Sequence, residues 1–248
     1  MTDTTSVAER WTSRSGPRIR YLDNAPAAAT GLPVLLSPGF TDFADEYAEV
    51  LEFFSPRRML VVEVRGRGRS EAPHSGYRAS DHAADLQAVL DEEGIDRFHL
   101  MTFSRGTTWG LDLVLDDPAR VASVSIGDYA ARELALARDL AGQVMEARFR
   151  GRPMAERVEA HVISELFGAS RERDLFGALA ATGLPVMVAT GTEDGCMLDA
   201  AGVQEYRDRI PGVEIVVIEG AAHDLFRPDR LAYPRAVQQF IQRRAPGT

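Results

Sequence analysis

The hydrophobic residues of this chain fall into short continuous runs that end at glycine, proline or charged residues. Runs of this length are typical of strands buried on both faces of a parallel sheet. Between the runs lie segments with helical spacing, such as ASDHAADLQAVLDEEG, in which the apolar side chains share one face. The runs that predict strands lie at 32–40, within 57–70, and at 97–103, 121–127, 184–191 and 212–220.

Predicted strands therefore alternate with predicted helices along most of the chain. This alternation implies right-handed crossovers and a mostly parallel sheet with helices on both faces, an α/β fold. A short N-terminal β-hairpin that turns at Gly16-Pro17 precedes the sheet, and a final helix follows it at 231–244. In such a sheet the functional residues lie at the carboxyl ends of the strands.

The segment 130–183 interrupts this alternation, because it has two or three helical patterns and no predicted strand. We expect a helical insertion that acts as a small lid above the sheet; an ordinary long crossover is the alternative. No repeat or linker divides the 248 residues, so we expect one domain spanning 1–248.

The charge and the basic residues exclude several kinds of function. The formal net charge of -9 disfavours nucleic acid or an anionic membrane as the main partner, so we expect a small-molecule substrate. All 28 basic residues are arginine. Without lysine the chain cannot perform Schiff-base catalysis, attach pyridoxal phosphate or form a Ser-Lys dyad.

No sequence feature points to a cofactor, a metal or a membrane. The single cysteine, Cys196, cannot form an internal disulfide, and the histidine spacing fits no common zinc motif. The N-terminal residues MTDTTSVAERWTSRSG are polar and do not resemble a signal peptide. We expect a cytoplasmic enzyme without cofactor or metal, either monomer or homodimer.

Three residues with complementary chemistry follow predicted strands. Ser104 lies at a strand-to-helix turn, and Asp194 and His223 each come a few residues after a later strand. A serine hydroxyl is a weak nucleophile and needs a base such as histidine, whose imidazole a carboxylate orients. The order Ser, Asp, His at strand ends therefore predicts a nucleophilic triad.

The remaining parts of the predicted site are less narrowly defined. Backbone N–H groups of Phe40 and Arg105 are the candidates for an oxyanion hole. Asp128, which ends an earlier strand, and Glu193 are alternatives to Asp194 as the acid. Ser104 as a simple helix cap is the alternative to a nucleophile.

Taken together, these motifs resemble the α/β-hydrolase fold superfamily from about Ile19 to the C-terminal helix. The T-F-S-R-G sequence at 102–106 is similar to the G-x-S-x-G nucleophile elbow of that family. The further matches are Pro38-Gly39 for the family's strand-end His-Gly, E-V-R-G-R-G-R-S at 63–70 for D-x-R-G-x-G-x-S, G-T-E-D at 191–194 for G-x-x-D, and G-A-A-H at 220–223 for G-A-G-H.

The resemblance implies a three-layer α/β-hydrolase fold with a short lid, and a cofactor-independent serine hydrolase that cleaves an ester, lactone or thioester through an acyl-enzyme. Alternatives are a carbon-carbon bond hydrolase, a lyase or cyclase using the same site, or a ligand-binding protein with little turnover. Dehalogenases and epoxide hydrolases of the fold use aspartate where this chain has Ser104. The Arg105 side chain could attract a carboxylate-bearing substrate or form a salt bridge with an acidic neighbour.

Two positions depart from the family pattern. Thr102 replaces the first glycine of the elbow, where strand and helix backbones approach closely, and we expect a small local adjustment. Ser37-Pro38 replaces a histidine that in the family often supports the oxyanion loop, so the resemblance leaves the geometry of that loop and the substrate class open.

Overall fold

The computed structural model describes residues 7–13 and 16–244. Its centre is an eight-stranded sheet in the order β1-β2-β4-β3-β5-β6-β11-β12. The strands of this sheet are β1 (Ala8–Trp11), β2 (Arg20–Asp23), β3 (Val34–Ser37), β4 (Met59–Glu63), β5 (Phe98–Phe103), β6 (Val121–Gly127), β11 (Val186–Gly191) and β12 (Glu214–Ile218); four two-residue strands are β7 (Arg132–Glu133), β8 (Arg148–Phe149), β9 (Arg152–Pro153) and β10 (Arg173–Asp174).

The predicted mostly parallel sheet is confirmed. Strands β3, β4, β5, β6, β11 and β12 pair in parallel, whereas β1 and β2 pair antiparallel with each other and β2 pairs antiparallel with β4. The first two strands are the predicted hairpin. Residues 14–15 of its turn lie outside the described residues, as do 1–6 of the N-terminal segment expected not to be a leader, and 245–248.

Helices cover both faces of the sheet, as the alternation predicted. One hydrophobic core lies beneath the helices at 79–92, 106–116 and 200–209, and a second lies beneath the helices at 48–54 and 232–244 on the other face of the sheet. The helix at 200–209, which the sequence analysis did not predict, packs on the first of these cores. The helices are α1 (Ala48–Phe54), α2 (Ala79–Glu92), α3 (Gly106–Asp116), α4 (Ala141–Glu146), α5 (Ala160–Ala169), α6 (Phe176–Ala181), α7 (Ala200–Arg209) and α8 (Ala232–Arg244).

The segment 130–183, here called the insertion segment, is less helical than predicted. Two small antiparallel pairs, β7 with β10 and β8 with β9, occupy stretches where no strand was expected. The helical pattern at 131–149 gives only α4 and a preceding 3-10 turn, because Arg132 and Glu133 instead pair with the backbone of Asp174 and Arg173. Tertiary pairing here outweighs local helical spacing.

The described helices are too short or too polar to cross a membrane.

Candidate active site

The carboxyl ends of β5 and β6 and the loop after β12 bring three side chains together. Ser104 follows β5 directly, Asp128 follows β6 directly, and His223 lies five residues beyond β12. Because β5 and β6 are neighbours in the parallel sheet, their ends lie side by side. The three residues therefore meet at one edge of the sheet.

A continuous hydrogen-bonded chain links the three side chains. The Asp128 carboxylate accepts from His223 Nδ1 at 2.7 Å, and His223 Nε2 lies 2.9 Å from Ser104 Oγ. Since a carboxylate can only accept, Nδ1 carries the proton, and Nε2 is left to accept from the serine hydroxyl. The ring of Phe103 stacks on the imidazole, with the two ring centroids 5.2 Å apart, and limits the rotation of the imidazole.

Asp128 is fully buried, and its carboxylate is held by four donors in all. Besides the imidazole, the Met197 N–H donates to Oδ2 at 2.8 Å, and the Leu198 N–H and the Thr190 hydroxyl donate to Oδ1 at 3.1 and 3.0 Å. Hydrogen bonds of this number compensate the burial of the charge and fix the carboxylate's orientation. The residue thus has one position from which to meet the imidazole.

The structure does not bring Asp194, the sequence's first choice for the acid, to His223. Asp194 is exposed on the loop after β11, and its place against the imidazole is taken by the alternative, Asp128. The loop is pinned to the histidine loop before it reaches Asp194, because the Glu193 N–H donates to Ala221 O at 3.0 Å. It bends outward there and returns so that the N–H groups of Met197 and Leu198 point at Asp128.

Ser104 sits on a turn that its own backbone geometry makes sharp. Its φ of 52° lies in the left-handed region, which a residue with a side chain occupies at a cost of ~1–3 kcal/mol. The Ser104 N–H donates to Gly127 O at 2.8 Å, which ties the turn to the end of β6. This conformation projects the hydroxyl away from the sheet edge toward the imidazole, which a helix cap does not require.

Thr102, which replaces the first glycine of the elbow, is accommodated by a glycine elsewhere. A Cβ built on Gly110, in α3, would lie 2.8 Å from the Thr102 methyl carbon. The Thr102 hydroxyl lies 2.9 Å from the Thr107 hydroxyl, so its polar atom is satisfied inside the elbow. The expected adjustment is therefore an exchange of small and large residues across the strand–helix contact.

We expect Gly110→Ala to lower the free energy of unfolding by ~1–3 kcal/mol, because the added methyl overpacks against Thr102. Adding Thr102→Ser removes the opposing methyl and keeps the hydroxyl, so the double variant should recover ~1 kcal/mol or more. Urea unfolding of the wild type, both single variants and the double variant measures this coupling. If the losses of unfolding free energy in the two single variants add up to that of the double variant, Gly110 does not compensate for the Thr102 methyl group.

The loop after β3 lies beside Ser104 and presents backbone donors. Within the described residues, the N–H groups of Phe40 and Arg105 donate to no protein acceptor, whereas the neighbouring Gly39 N–H donates to Asp42 Oδ2 at 2.9 Å. Both free donors belong to residues that line the same cavity as Ser104. Arg105 is the N-cap residue of α3, so the helix dipole favours a negative charge at its N–H.

This loop is supported by Asp42 where the family pattern would have a histidine. Tyr47 donates its hydroxyl hydrogen to Asp42 Oδ2, and Arg150 Nη1 from the insertion segment lies 3.5 Å from Oδ1. Burial raises the pKa of the Asp42 carboxyl above its ordinary value, and the Arg150 charge opposes that rise. Arg150 also pairs with Asp224, next to His223, at 2.9 Å. One arginine thus connects the two loops that flank Ser104.

Two further arginines hold the carbonyl groups of the same loop. Arg67 donates from Nε to Phe40 O at 2.9 Å, and Arg157 donates from Nε to Thr41 O at 3.1 Å. Sequence reasoning missed these supports. Asp42 lies three residues after Gly39, and this turn signal could have predicted its hydrogen bond to the Gly39 N–H. No local pattern relates Arg150 or Arg157 to residues more than 100 positions away.

A cavity of about 290 Å³ opens at Ser104 and His223. Its walls are largely apolar, and the insertion segment supplies much of them. This volume lies near the lower end of the range of small-molecule sites, so the cavity fits a compact ligand. The lining residues are Gly39, Phe40, Thr41, Asp42, Phe103, Ser104, Arg105, Tyr129, Leu134, Leu136, Phe149, Met154, Phe167, Met197 and His223.

The other titratable residues do not form a second centre of this kind. Within the described ranges, no group of three or more His, Cys, Asp or Glu side chains is arranged to hold a metal ion. His161 lies 3.2 Å from Pro73 O and does not line the cavity. Burial lowers the pKa of His82 well below its ordinary value, so that ring stays neutral, stacked on Trp109 at 4.3 Å.

Comparison with known proteins points to one fold family. A family model described as alpha/beta hydrolase fold matches residues 33–151, which include Ser104 and Asp128. A protein of Variovorax paradoxus (strain S110) that is named a carbamate hydrolase is 39% identical over 101 residues, 39% of this chain and 37% of that protein. A haloalkane dehalogenase of Psychrobacter cryohalolentis is 31% identical over 115 residues, 45% of this chain and 37% of the relative. The matched part is less than half of either relative.

A solved structure matches over nearly the whole chain. The enol-lactonase from Burkholderia xenovorans LB400 superimposes with a TM-score of 0.78, at 20% sequence identity, and covers 94% of this chain and 100% of its own. At this identity the likeness concerns the fold.

Proposed function

We propose that this chain, which has the α/β-hydrolase fold, is a cofactor-independent serine hydrolase that cleaves an ester, lactone or thioester of a small molecule. The observation that carries the proposal is the hydrogen-bonded chain from Ser104 through His223 to Asp128 at the mouth of the cavity. A serine in the left-handed region, with an acceptor imidazole 2.9 Å away, has the geometry of an activated nucleophile.

The first half of the proposed reaction forms an acyl-enzyme. Ser104 Oγ attacks the carbonyl carbon while His223 Nε2 takes the hydroxyl proton, and Asp128 stabilises the imidazolium that results. The N–H groups of Phe40 and Arg105 donate to the oxygen that becomes negative. The bond to the leaving group then breaks, and His223 returns the proton to the departing oxygen or sulfur.

In the second half, water replaces the leaving group. His223 Nε2 takes a proton from water, the hydroxide oxygen attacks the acyl carbon, and the bond to Ser104 Oγ breaks as the proton passes back to the serine. We also propose that the insertion segment acts as the lid over this reaction, because Leu134, Phe149 and Phe167 line the cavity. Serine at position 104 favours acyl transfer over the dehalogenation named in one relative, since the family resemblance associates that reaction with aspartate.

A fluorophosphonate probe tests the nucleophile directly. We expect the wild type to be labelled at one site, Ser104→Ala to be unlabelled, and the matched variant Ser80→Ala, which changes an exposed serine of α2, to be labelled at the wild-type rate. Circular dichroism establishes that each variant is folded. A folded wild type that resists the probe, or label that persists in Ser104→Ala, would overturn the proposal.

Product analysis separates hydrolysis from lyase or cyclase chemistry at the same serine. In water enriched with the heavy oxygen isotope, an acyl-enzyme route places one labelled oxygen in the acid product. An active enzyme whose product contains no solvent oxygen would favour the lyase or cyclase alternative.

A further inference from the structure

The Arg105 guanidinium is a buried positive charge whose ion-pair contact with Glu133 is long. The residue is 5% exposed and lines the cavity. Its Nη1 donates to Leu134 O at 3.3 Å, its Nη2 lies 3.8 Å from Glu133, and its Nε has no partner in the described part of the chain. These contacts are long for charge-assisted hydrogen bonds, which leaves much of the guanidinium's binding capacity unused.

The nearest carboxylate is already engaged by other groups. Glu133 accepts from Arg173 Nε at 2.6 Å and from the Arg171 N–H at 3.2 Å. Arg173 in turn pairs with Asp112 at 2.9 Å. Glu133 therefore belongs to an ion-pair network beside the cavity and compensates the Arg105 charge only in part.

A second buried guanidinium adds to the positive field. Arg67 is 1% exposed, and among the described residues no carboxylate lies within ion-pair distance of it; its contacts are the Phe40 and Arg65 carbonyls and the neutral His82. Burial, together with the charges of Arg105 and Arg65, lowers the pKa of Arg67 to about 9. Burial is the largest cause of this lowered pKa, and the charge of Arg105 adds a smaller contribution in the same direction.

The acidic side chains at the cavity do not offset this charge. Asp128 is bound by His223, and Asp42 by the Gly39 N–H, the Tyr47 hydroxyl and Arg150. Both acids therefore already have partners of their own. A free anion entering the cavity would meet Arg105 with unused donors, and its carboxylate neighbour, Glu133, lies 3.8 Å away and is shared with Arg173.

We propose that the substrate carries a carboxylate in its acyl part and that the Arg105 guanidinium binds it. This inference rests on the proposed hydrolase function and names its substrate class. Arg105 lines the same cavity as Ser104, so an acyl group held on Ser104 Oγ would occupy the space that Arg105 borders. The volume of about 290 Å³ restricts the acyl chain to a short one, such as a four- or five-carbon dicarboxylate half-ester.

Two matched esters test the inference in turnover. Mono-4-nitrophenyl succinate and 4-nitrophenyl pentanoate have acyl groups of similar length, and only the first carries a carboxylate. We expect the wild type to prefer the succinate ester in kcat/KM by about 10- to 100-fold. Arg105→Gln should remove most of that preference, whereas Arg207→Gln, which changes an exposed arginine of α7, should retain it. The ratio of the two esters is the readout, because the Arg105 backbone also belongs to the proposed oxyanion hole.

A binding measurement decides the inference independently of catalysis. Calorimetry on the Ser104→Ala variant compares monomethyl succinate with dimethyl succinate, and we expect the anion to bind about 10-fold more tightly. The double variant Ser104→Ala/Arg105→Gln should bind both equally.

The outcomes separate this inference from the proposed function. Equal hydrolysis of the two nitrophenyl esters by a labelled, active enzyme would leave the hydrolase function intact and overturn the role of Arg105. If neither ester is hydrolysed and the fluorophosphonate does not label Ser104, the hydrolase function is wrong. In that case calorimetry still tests the carboxylate site. Equal affinity for monomethyl and dimethyl succinate, or no binding of either ester at millimolar concentration, would overturn it.

Discussion

Asp128→Asn is expected to lower kcat by about 1,000- to 10,000-fold while KM changes little. The carboxylate accepts from His223 Nδ1 at 2.7 Å and thereby keeps Nε2 free to accept the proton of Ser104. An asparagine amide can present a donor at that position, which favours the opposite imidazole tautomer. The imidazole would then point an N–H at the serine and could not act as its base.

The matched control is Asp194→Asn, which removes the exposed carboxylate that the sequence favoured. We expect its kcat to stay within about twofold of the wild type, because exposed surface substitutions have small effects. Steady-state kinetics on a 4-nitrophenyl ester measures both variants. A large loss in Asp194→Asn with near-normal activity in Asp128→Asn would show that the loop rearranges in solution and that Asp194 is the working acid.

Asp128→Asn also alters buried hydrogen bonds to Thr190, Met197 and Leu198, so its stability must be measured beside its activity. Urea unfolding measures the free energy of unfolding, which we expect Asp128→Asn to lower by ~1–3 kcal/mol. If Asp128→Asn loses activity only because it unfolds, its activity should return at temperatures where the variant is fully folded. A tautomer effect persists in the folded variant, so the two causes are separable.

Gly106→Ala is expected to lower kcat/KM by about 100-fold or more. A Cβ at this position would lie 2.2 Å from Pro38 O and 2.4 Å from Ser37 O, so the backbone of the oxyanion loop must move away. Losing one oxyanion donor typically costs about 100- to 1,000-fold in kcat. The loop displacement should also lower the free energy of unfolding by ~1–3 kcal/mol.

The control for this substitution is Gly177→Ala in α6, where an added Cβ meets nothing within 4 Å. Alanine is the better helix former by roughly 0.5–1 kcal/mol, so this variant should be slightly more stable and fully active. Kinetics and urea unfolding of the two variants give the comparison. A Gly106→Ala enzyme with normal kcat/KM would show that the loop at Pro38 yields without disturbing the Phe40 donor.

The sequence analysis placed Ser104 and His223 at strand ends because both positions follow from local patterns. Ser104 lies between an apolar run and a helical pattern, and His223 follows an apolar run by five residues, as the structure places them. The choice of acid was different, since Asp128 and Asp194 both follow strands. The structure places Asp128 against His223 because β6 adjoins β5, and because hydrogen bonding to Ala221 turns the loop after β11 toward solvent before Asp194.

The side chains that support the loop after β3 could not be predicted from local sequence patterns. Arg150 and Arg157 reach Asp42 and Thr41 from the insertion segment, across more than 100 positions of sequence. The same segment was predicted to have two or three helical patterns and no strand, but two short antiparallel pairs replaced part of the helical pattern. Contacts between distant residues decide such features, and periodicity carries no information about them.

Local sequence patterns were sufficient to predict the alternation of strands and helices, the mostly parallel sheet, and the strand ends at which Ser104 and His223 lie. These depend on apolar runs, turn residues and helical spacing, all of which act over a few neighbouring positions. Local patterns could not predict which carboxylate meets the imidazole, how Gly110 makes room for Thr102, or that Arg105 lines the cavity with Glu133 3.8 Å away. Those outcomes depend on which strand ends and side chains become neighbours, and that is known only once the chain has packed.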